Sequence, residues 1–558
     1  MRTLYSPKEC SFLYRVIHPF NFVRNVYETP TNSKDLLCKE ETSNRENEQT
    51  SDPKGEPTYY QIKSVNTLTN SKTILRLSFK PGMNRHKNFK QTILPNEAVK
   101  GLLRALIDLK RTPKDLQNEA DQLTEKLSQR RYPASFEEVH KWKKAIADKM
   151  REDNESLDPS TGILGEKMQK AWKEELNYRV AQKLKKVRYN WKPIKVRDIE
   201  DAAVLALSQL GSYFAEVKLV LEEFDRIKYK PATILDYGSG LGSVFWACYS
   251  TWGEKVDEYC MIEPNDILSQ FSMDLMRGDI DDSQGLISKK AYFRRTLAPQ
   301  KTYDIVFLHR TLIEIPSEQE RMELLSTLWK CTNKYMVIIE SDLRDSFESV
   351  MASRDYILMK GYTIDTDRVI KLFEEQNIMN ETVEKVIADK EISVKEKYFQ
   401  LKSMLPPDTT LPTILDPGHV FAPCPHDLGC PLLADDEKKT CTFAVKCNDI
   451  RADGKSKNEG TVKHRFSYVI LEKGIRQPKR SCSRILEKSS GKIDLSFTNC
   501  TPFDGIQNFK IHKKAGSIYK TAKHLRSGEV FPLEDEFLES DSQFNFIQQM
   551  LRQPKKDS

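Results

Sequence analysis

The sequence predicts an α/β fold built on a doubly wound parallel sheet, and three observations support it. Short apolar runs that resemble buried strands lie at 234–236, 259–263, 303–308 and 335–340. Helical apolar spacing separates these runs, for example at 317–331. A glycine-rich turn follows the first run, at Gly238 to Gly242. Strands that alternate with helices favour parallel pairing, and a further strand is expected at 464–473.

The N-terminal residues are predicted to lie outside the folded domains. Residues 1–27 contain four Lys and Arg residues and a single acid among apolar and aromatic residues. This composition is typical of a mitochondrial transit peptide, although an ordinary terminal segment has similar features. Residues 28–58 are polar and mixed in charge, which predicts a disordered linker. No run of about 18 apolar residues occurs, so no membrane partner is expected.

The remaining chain is predicted to contain three parts. Residues 59–228 show mainly helical apolar spacing and are expected to form an N-terminal helical region. Residues 229–475 carry the strand–helix alternation and are expected to form a Rossmann-like domain with a cysteine-rich insertion at 421–447. Residues 476–558 form a basic C-terminal extension.

The glycine turn predicts a ligand-binding loop. Glycines permit a tight turn and a close approach of the backbone to a ligand. Dinucleotide-binding loops have the spacing G-x-G-x-x-G, whereas Gly238, Gly240 and Gly242 have the spacing G-x-G-x-G. This second spacing is that of S-adenosylmethionine methyltransferases. The sequence therefore predicts their Rossmann-like fold.

Six residues are candidates for contact with such a cofactor: Asp236, Gly238, Ser239, Gly240, Gly242 and Glu263. The acid before the loop is suited to a cationic amino group. Glu263 ends the second strand, where an acid can bind both ribose hydroxyls. The structural alternative is a glycine turn that serves only close helix–strand packing.

No catalytic motif is found after the strand at 303–308. Nucleic-acid methyltransferases carry an Asn/Asp-Pro-Pro-aromatic segment or a Pro-Cys nucleophile there, but residues 308–316 contain neither. His309 and Glu314 are conceivable bases. A histidine at a strand end is more often structural, so no catalytic residue is assigned.

A cluster of cysteines predicts a metal site. Six of the eleven cysteines fall between residues 424 and 500: Cys424, Cys430, Cys441, Cys447, Cys482 and Cys500. The first three have the spacings C-x5-C and C-x10-C, unlike the short pairs of common zinc modules. Both an iron–sulfur cluster and a zinc ion are possible occupants of this site. The structural alternative is a set of buried thiols that bind no metal. Cys500 is the preferred fourth ligand, and Cys447 and Cys482 are its competitors.

Two basic stretches predict contact with nucleic acid. Residues 183–197 contain seven Lys and Arg residues and no acid, with Tyr189 and Trp191 among them. Residues 451–526 contain 18 Lys and Arg residues against 6 acids. Such local surpluses suit contacts with a phosphate backbone, and aromatic residues can stack on unpaired RNA bases. The alternative is an ordinary solvated face.

Several motifs together resemble the Rsm-type family of methyltransferase-like proteins of the mitochondrial small ribosomal subunit. They are the glycine loop at 234–247, Pro-Gly-Met-Asn-Arg at 81–85, Ala-Pro-Cys-Pro-His-Asp-x-x-Cys-Pro-Leu at 422–432, Cys-x-Phe at 441–443, and Phe-Ser-Tyr-Val-Ile at 466–470. The resemblance spans about residues 60–530, and the motif at 422–432 is its most specific part.

The resemblance implies a protein of the mitochondrial matrix that binds the small ribosomal subunit during assembly, through rRNA and ribosomal proteins, and is a monomer off the ribosome. It implies a [4Fe–4S] cluster on Cys424, Cys430, Cys441 and Cys500. It also implies a fold that binds S-adenosylmethionine without methyl transfer. The family tends to have Glu-x-Gly-Thr-Pro-x-Gly-Phe after the fifth strand, but residues 340–347 lack these glycines and the proline.

Three hypotheses follow. The first is an assembly factor with an inactive methyltransferase fold and a structural iron–sulfur cluster. The second is an active rRNA methyltransferase in which His309 or Glu314 assists transfer. The third is a zinc-dependent RNA-binding protein. The absent catalytic motif favours the first.

Overall fold

The computed structural model describes residues 58–66, 72–79, 91–107, 109–133, 136–153, 166–187, 191–277, 285–433, 439–455, 460–476, 483–502 and 505–531. The predicted transit peptide, the predicted linker up to residue 57, the motif at 81–85 and Cys482 lie outside these residues.

The described residues form thirteen α-helices and fourteen strands. The helices are α1 (Asn96–Ile107), α2 (Pro113–Ser128), α3 (Phe136–Asp153), α4 (Glu166–Val187), α5 (Ile199–Arg226), α6 (Ser243–Trp252), α7 (Asp266–Arg277), α8 (Glu318–Lys330), α9 (Arg344–Tyr362), α10 (Thr366–Glu375), α11 (Glu381–Ala388), α12 (Val394–Ser403) and α13 (Ser517–His524). The strands are β1 (Thr58–Asn66), β2 (Lys72–Phe79), β3 (Thr233–Tyr237), β4 (Glu258–Ile262), β5 (Ala291–Arg294), β6 (Tyr303–His309), β7 (Thr332–Ser341), β8 (Gly418–Ala422), β9 (Phe443–Asn448), β10 (Thr461–Lys473), β11 (Ser483–Ser490), β12 (Asp494–Cys500), β13 (Ile506–His512) and β14 (Val530–Phe531).

The chain divides into two compact units. The described residues within 91–350 and 444–468 form one, here called the Rossmann unit, and those within 1–90, 351–443 and 469–558 form the other, here called the cysteine unit. Helices α1 to α5, from the predicted N-terminal helical region, belong to the Rossmann unit. The domain boundaries drawn from the sequence remain predictions.

The Rossmann unit contains a sheet with the strand order β5-β4-β3-β6-β7-β10. The pairs from β5 to β7 are all parallel. The chain runs outward from β3 to β5 and then returns to β6 and β7, so the order reverses between β3 and β6. This is the doubly wound order, and ligands of such sheets bind at the carboxyl ends of the strands beside the reversal. The predicted Rossmann-like fold and the late strand at 464–473 are confirmed.

Helix α5 is the central helix of the Rossmann unit. Asp198 caps it by accepting the N–H of Asp201, and its apolar side chains are buried on all sides, as at Leu210, Val217 and Phe224. By length and hydropathy alone it could cross a membrane, but 72% of that apolar window is buried in the protein. A helix that is apolar all round and buried is the core helix of a large domain.

The cysteine unit is built around an antiparallel sheet with the order β14-β11-β12-β13-β1-β2. Helix α13 contributes Ala522 to a core that includes Phe497, Phe509 and Phe531. Helices α10 to α12 enclose a separate apolar core around Phe373 and Leu401. Strand β10 continues into this unit, where its last residues pair antiparallel with β8. This antiparallel sheet was not predicted from the sequence.

Candidate functional site

The glycine loop joins β3 to α6 at the reversal of the sheet. The backbone N–H groups of Gly238 and Ser239 both donate to the carbonyl of Ile262, which ends β4. Gly238, Gly240 and Gly242 all have positive φ angles of 51° to 76°. A side chain would strain the backbone at each of these positions, which explains the three glycines.

Asp236 has a buried carboxylate at the mouth of this loop. Neither of its side-chain oxygens has a hydrogen-bond partner among the described residues, and the same holds for the Ser239 hydroxyl. Burial, with a smaller effect of the nearby Glu263 charge, raises the pKa of Asp236 to about 8. An unpartnered buried carboxyl group costs free energy, so a cationic or hydrogen-bonding group beside it would be favourable.

Glu263 follows β4 and faces the same loop. Its Oε2 accepts the N–H of Gly240 at 3.0 Å and its Oε1 accepts that of Asn265 at 2.9 Å. Burial raises its pKa, although these two hydrogen bonds oppose the shift. A Cβ at Gly240 would meet nothing closer than the Gly238 carbonyl, at 4.0 Å. The loop therefore presents an open face between the two acids.

The residues after β6 form a buried ion-pair network. Glu216 of α5 is fully buried, and Arg310 contacts both of its oxygens, at 2.5 and 3.2 Å. His309 lies 3.1 Å from Glu216 through Nε2, which must donate because a carboxylate only accepts. Burial raises the pKa of Glu216, but the Arg310 charge and the His309 hydrogen bond outweigh it and lower the pKa. Glu216 and Arg310 were not among the residues predicted from the sequence.

Glu314, the second conceivable base, is also engaged. It forms a two-pronged ion pair with Arg130, in which one contact is 2.9 Å. Glu340 is the penultimate residue of β7, and its Oε1 accepts the N–H groups of Leu312 and Ile313. Burial raises the pKa of Glu340 to about 7. Both conceivable bases named by the sequence are thus held by partners.

The four predicted metal ligands lie near one another in the cysteine unit. Burial raises the pKa of all four thiols. The Cys424 thiol raises the pKa of the other three further, and that of Cys430 reaches about 12. Cys441 raises the pKa of Cys500 as well. Groups that influence one another in this way lie close together.

Two buried arginines lie beside these thiols. Arg354 is fully buried and donates from Nη2 to the carbonyls of His426, at 3.3 Å, and Leu428. Arg484 donates from Nε to the Pro423 carbonyl at 3.0 Å. Against the effect of burial, both guanidinium groups lower the pKa of the Cys424 thiol. The sequence analysis missed both arginines.

The loop that carries Cys424 and Cys430 is fixed by its own polar residues. Asp427 accepts two hydrogen bonds from Arg476, both at 2.8 Å, and one from the N–H of Val420 at 2.8 Å. Burial raises the pKa of Asp427, but Arg476 outweighs it and lowers the pKa to about 2. His426 is buried, and its Nε2 lies 3.2 Å from Cys500 Sγ.

Cys447 belongs to the Rossmann unit. Its thiol donates weakly to the Val462 carbonyl at 3.8 Å, and the charges that raise its pKa, beyond burial, are Glu216 and Asp449. Within the described ranges, no three Cys, His, Asp or Glu side chains are close enough to hold a single metal ion.

A sequence profile of the family described as "Mitochondrial small ribosomal subunit Rsm22" matches residues 199–366 and 400–532, more than half of the chain. The chain belongs to the Rsm22 family. The family expected from the motifs is therefore confirmed.

Named relatives of this Rsm22-family chain are mitochondrial. It is 27% identical over 363 residues to the Homo sapiens protein "Ribosome assembly protein METTL17, mitochondrial", which covers 64% of this chain and 65% of the relative. It is 21% identical over 281 residues to the Schizosaccharomyces pombe "Rsm22-cox11 tandem protein 2, mitochondrial", over 49% of this chain and 30% of the relative. The chain thus spans less than two thirds of the length of these relatives.

Solved structures similar to this Rsm22-family chain are methyltransferases. The plantazolicin methyltransferase BpumL with SAH is 14% identical, with a TM-score of 0.21, and covers 47% of this chain and 84% of its own. The magnesium protoporphyrin IX methyltransferase of Synechocystis PCC 6803 with SAH is 9% identical, with a TM-score of 0.23, and covers 52% and 94%. The fold follows from the strand order of the Rossmann unit.

Proposed function

We propose that this protein is an assembly factor of the mitochondrial small ribosomal subunit that acts in the matrix and binds rRNA. In this proposal it carries a [4Fe–4S] cluster on Cys424, Cys430, Cys441 and Cys500, and its S-adenosylmethionine pocket does not transfer methyl groups. Membership of the Rsm22 family and the name of the human relative support the assembly role and the mitochondrial location.

The convergence of four thiols is the observation that carries the cluster. These thiols are close enough to raise one another's pKa, yet no three of them surround a single-ion position among the described residues. A tetrahedral zinc site needs ligands about 2.3 Å from one ion. A [4Fe–4S] cluster takes one thiolate on each of four irons, so its ligands stand farther apart. Four cysteines are the ligand set of a [4Fe–4S] cluster, which is the proposed occupant of this site.

The charges around the thiols support the same assignment. Four thiolates around a cluster core of charge +2 carry a net charge of about −2. Arg354 and Arg484 are buried beside them and would offset that charge. The cluster would be structural, because its ligands join the 424–441 segment to β12. It would add its binding free energy to folding.

The glycine loop fits an S-adenosylmethionine-type ligand. Asp236 has an unpartnered buried carboxylate that suits a cationic amino group, and the face of Gly240 is open. Glu263 retains lone pairs for ribose hydroxyls beyond the two backbone donors it accepts. Asp236, Gly238, Ser239, Gly240, Gly242 and Glu263 are the proposed contacts. When bound, the cofactor would supply an electrophilic methyl group.

The proposal that no methyl group is transferred is supported by the contacts of the two conceivable bases, because both already bind other side chains. His309 is paired with Glu216, and Glu314 is paired with Arg130. The alternative is an active rRNA methyltransferase, favoured by the unpartnered carboxylate of Asp236. Incubation of isolated small subunits with labelled S-adenosylmethionine separates the two, because label in rRNA that depends on this protein would refute the inactive fold.

Contact with rRNA is supported by exposed basic residues of the cysteine unit. The lysines that are exposed around β12, β13 and α13 are Lys492, Lys510, Lys513, Lys514, Lys520 and Lys523. Such a cluster suits a phosphate backbone, and binding should weaken steeply with salt.

The cluster and the assembly role are tested together. The full-length protein is purified without oxygen, and iron and sulfide are measured; about four of each per chain is expected. One zinc and no iron would refute the cluster. In mitochondria that lack the protein, the wild type should restore small-subunit sedimentation. A Cys424→Ser variant should fail, whereas Gly240→Ala, which costs only about 1 kcal/mol of stability, should not. Failure of the wild type to associate with small-subunit precursors would refute the assembly role.

A further inference from the structure

A short basic segment is anchored on both sides of the strand that leads into the glycine loop. Residues 191–197, here called the strap, lie between α4 and α5 without regular secondary structure. At one end, the indole N–H of Trp191 donates to the Ile313 carbonyl, just after β6, at 2.7 Å. At the other end, the Val196 carbonyl accepts from the side chain of Asn265, just after β4, at 3.1 Å.

The strand order determines what lies under the strap. Strand β3 lies between β4 and β6 in the sheet. A segment held after β6 and after β4 must therefore cross the carboxyl end of β3, where the glycine loop begins. The two outer strands are about 9.6 Å apart, and five residue steps reach up to about 17 Å. The strap is long enough to span this distance.

The first end of the strap is also clamped. Arg130 donates from Nη2 to the Lys192 carbonyl at 2.7 Å while it pairs with Glu314. The guanidinium carbon of Arg130 lies 5.5 Å from the centroid of the Trp191 ring. The Glu314 charge in turn raises the pKa of Glu263, the proposed ribose ligand. The clamp and the nucleoside position are thus neighbours.

The outer face of the strap is basic. Trp191, Ile194 and Val196 are half-buried, whereas Lys192, Lys195 and Arg197 are exposed. The acids that follow are already engaged: Asp198 caps α5, Asp201 pairs with Arg197, and Glu200 pairs with Arg111. Although it is paired with Asp201, the Arg197 side chain remains 75% exposed.

We infer that the strap is an RNA-binding lid: Lys192, Lys195 and Arg197 contact the phosphate backbone, and a nucleoside ligand beneath the strap tightens that contact. The inference rests on the proposed binding of rRNA and assigns a place for it. A ligand under the strap and RNA above it both favour the closed strap. Each therefore raises the affinity of the other by the same factor.

The test uses the full-length protein, a labelled single-stranded RNA and S-adenosylhomocysteine. A triple variant, Lys192→Gln with Lys195→Gln and Arg197→Gln, is compared with a matched variant, Arg368→Gln with Lys371→Gln and Lys385→Gln. The control residues are exposed and lie on α10 and α11, each paired with an acid. Melting temperatures verify that both variants fold.

The strap variant should bind RNA at least about tenfold more weakly, and its salt slope should fall by about 2, which is 0.7 for each lost phosphate contact. The control should bind like the wild type. S-adenosylhomocysteine should tighten RNA binding of the wild type. Trp191→Phe, which keeps an aromatic side chain but loses the N–H donor to Ile313, should reduce that tightening.

Each contrary result is decisive. Wild-type affinity and slope in the strap variant, or an equal loss in the control, would overturn the strap as an RNA-binding surface and leave the proposed function intact. If the wild type binds RNA with the same affinity with and without S-adenosylhomocysteine, the strap is not a lid that couples the two ligands. A wild type that binds no RNA at all would instead refute the proposed function.

Discussion

The glycine loop and the cysteine pocket bury charge in opposite ways. The glycine loop gathers acids: burial raises the pKa of Asp236 to about 8 and also raises that of Glu263. The cysteine pocket sets two buried arginines, Arg354 and Arg484, beside four thiols. The first site therefore favours a cationic group, whereas the second holds two cations that would offset the negative charge of thiolates bound to the proposed cluster.

The two sites also differ in how they are assembled. Asp236, the glycines and Glu263 come from 28 consecutive residues that a parallel strand pair holds in register. The cysteine pocket draws on α9, the 423–441 segment, β11 and β12. A site of the first kind is complete once its strands pair. A site of the second kind depends on links among distant segments, so loss of the proposed cluster should damage the fold far more.

The largest effect is expected from Cys424→Ser. Loss of one ligand should abolish the iron content and destabilise the cysteine unit by more than about 3 kcal/mol, because the binding free energy of a structural metal is folding free energy. Thermal unfolding and limited proteolysis under anaerobic conditions measure this. The matched control is Cys447→Ser, another buried thiol, whose weak contact with Val462 should cost only about 1 kcal/mol.

Iron content that survives Cys424→Ser, or an equal destabilisation by Cys447→Ser, would contradict the assignment. The Rossmann unit should keep its affinity for S-adenosylhomocysteine in both variants. That result would separate the two sites by experiment.

A smaller effect is expected from Asp236→Asn. The folded protein keeps the Asp236 proton up to about pH 8, whereas the unfolded chain releases it near pH 4. Unfolding therefore releases a proton between these values, and the free energy of unfolding falls as the pH rises, by about 1.4 kcal/mol per pH unit for one proton. The variant has no proton to release, so this contribution should vanish.

Denaturant unfolding of wild type and variant between about pH 5 and about pH 8 measures the difference in slope. Ligand binding should show the reverse trend. A cationic amino group favours the ionised Asp236, so wild-type affinity for S-adenosylhomocysteine should rise toward pH 8, and the variant should lose that rise. Equal slopes in wild type and variant would mean that Asp236 is ionised in the folded protein.

The contrast between the sites explains which parts could be predicted from the sequence. Strands β3, β4, β6 and β7 were predicted because each is a contiguous apolar run, and the glycine loop is a local motif. Strand β5 was missed since its four residues alternate between exposed and half-buried positions. Strand β1 pairs with β13, which sets Ser64 opposite Phe509, but neither local sequence contains a pattern that indicates this partner.

The same limit applies to the partners of the candidate residues. The four cysteines were predicted from a motif, but Arg354 and Arg484 lie in α9 and β11 with no pattern that connects them to it. His309 and Glu314 were weighed as bases. Their engagement with Glu216 and Arg130 spans 93 and 184 residues of sequence, a separation at which only the folded chain reveals a contact.

The smallest effect on stability, and the sharpest on binding, is expected from Gly240→Ala. Its φ of +51° costs an alanine about 1 kcal/mol, but the new Cβ would enter the open face of the loop, where nothing lies within 4.0 Å except one carbonyl oxygen. A ligand seated on that face would lose the close approach. Affinity for S-adenosylhomocysteine should fall at least about tenfold, which is about 1.4 kcal/mol.

Gly238→Ala provides the control for this last comparison. There the Cβ would lie 2.8 Å from Thr311 Oγ1, a hydroxyl that donates to the Tyr237 carbonyl. Displacing it should cost about 2–3 kcal/mol of stability in addition to any loss of binding. Gly240→Ala should thus separate binding from folding, whereas Gly238→Ala should impair both. Unchanged ligand affinity in a folded Gly240→Ala protein would mean that the ligand does not lie against this loop. A ligand that did lie there would be pushed away from the backbone by the new methyl group and would bind more weakly.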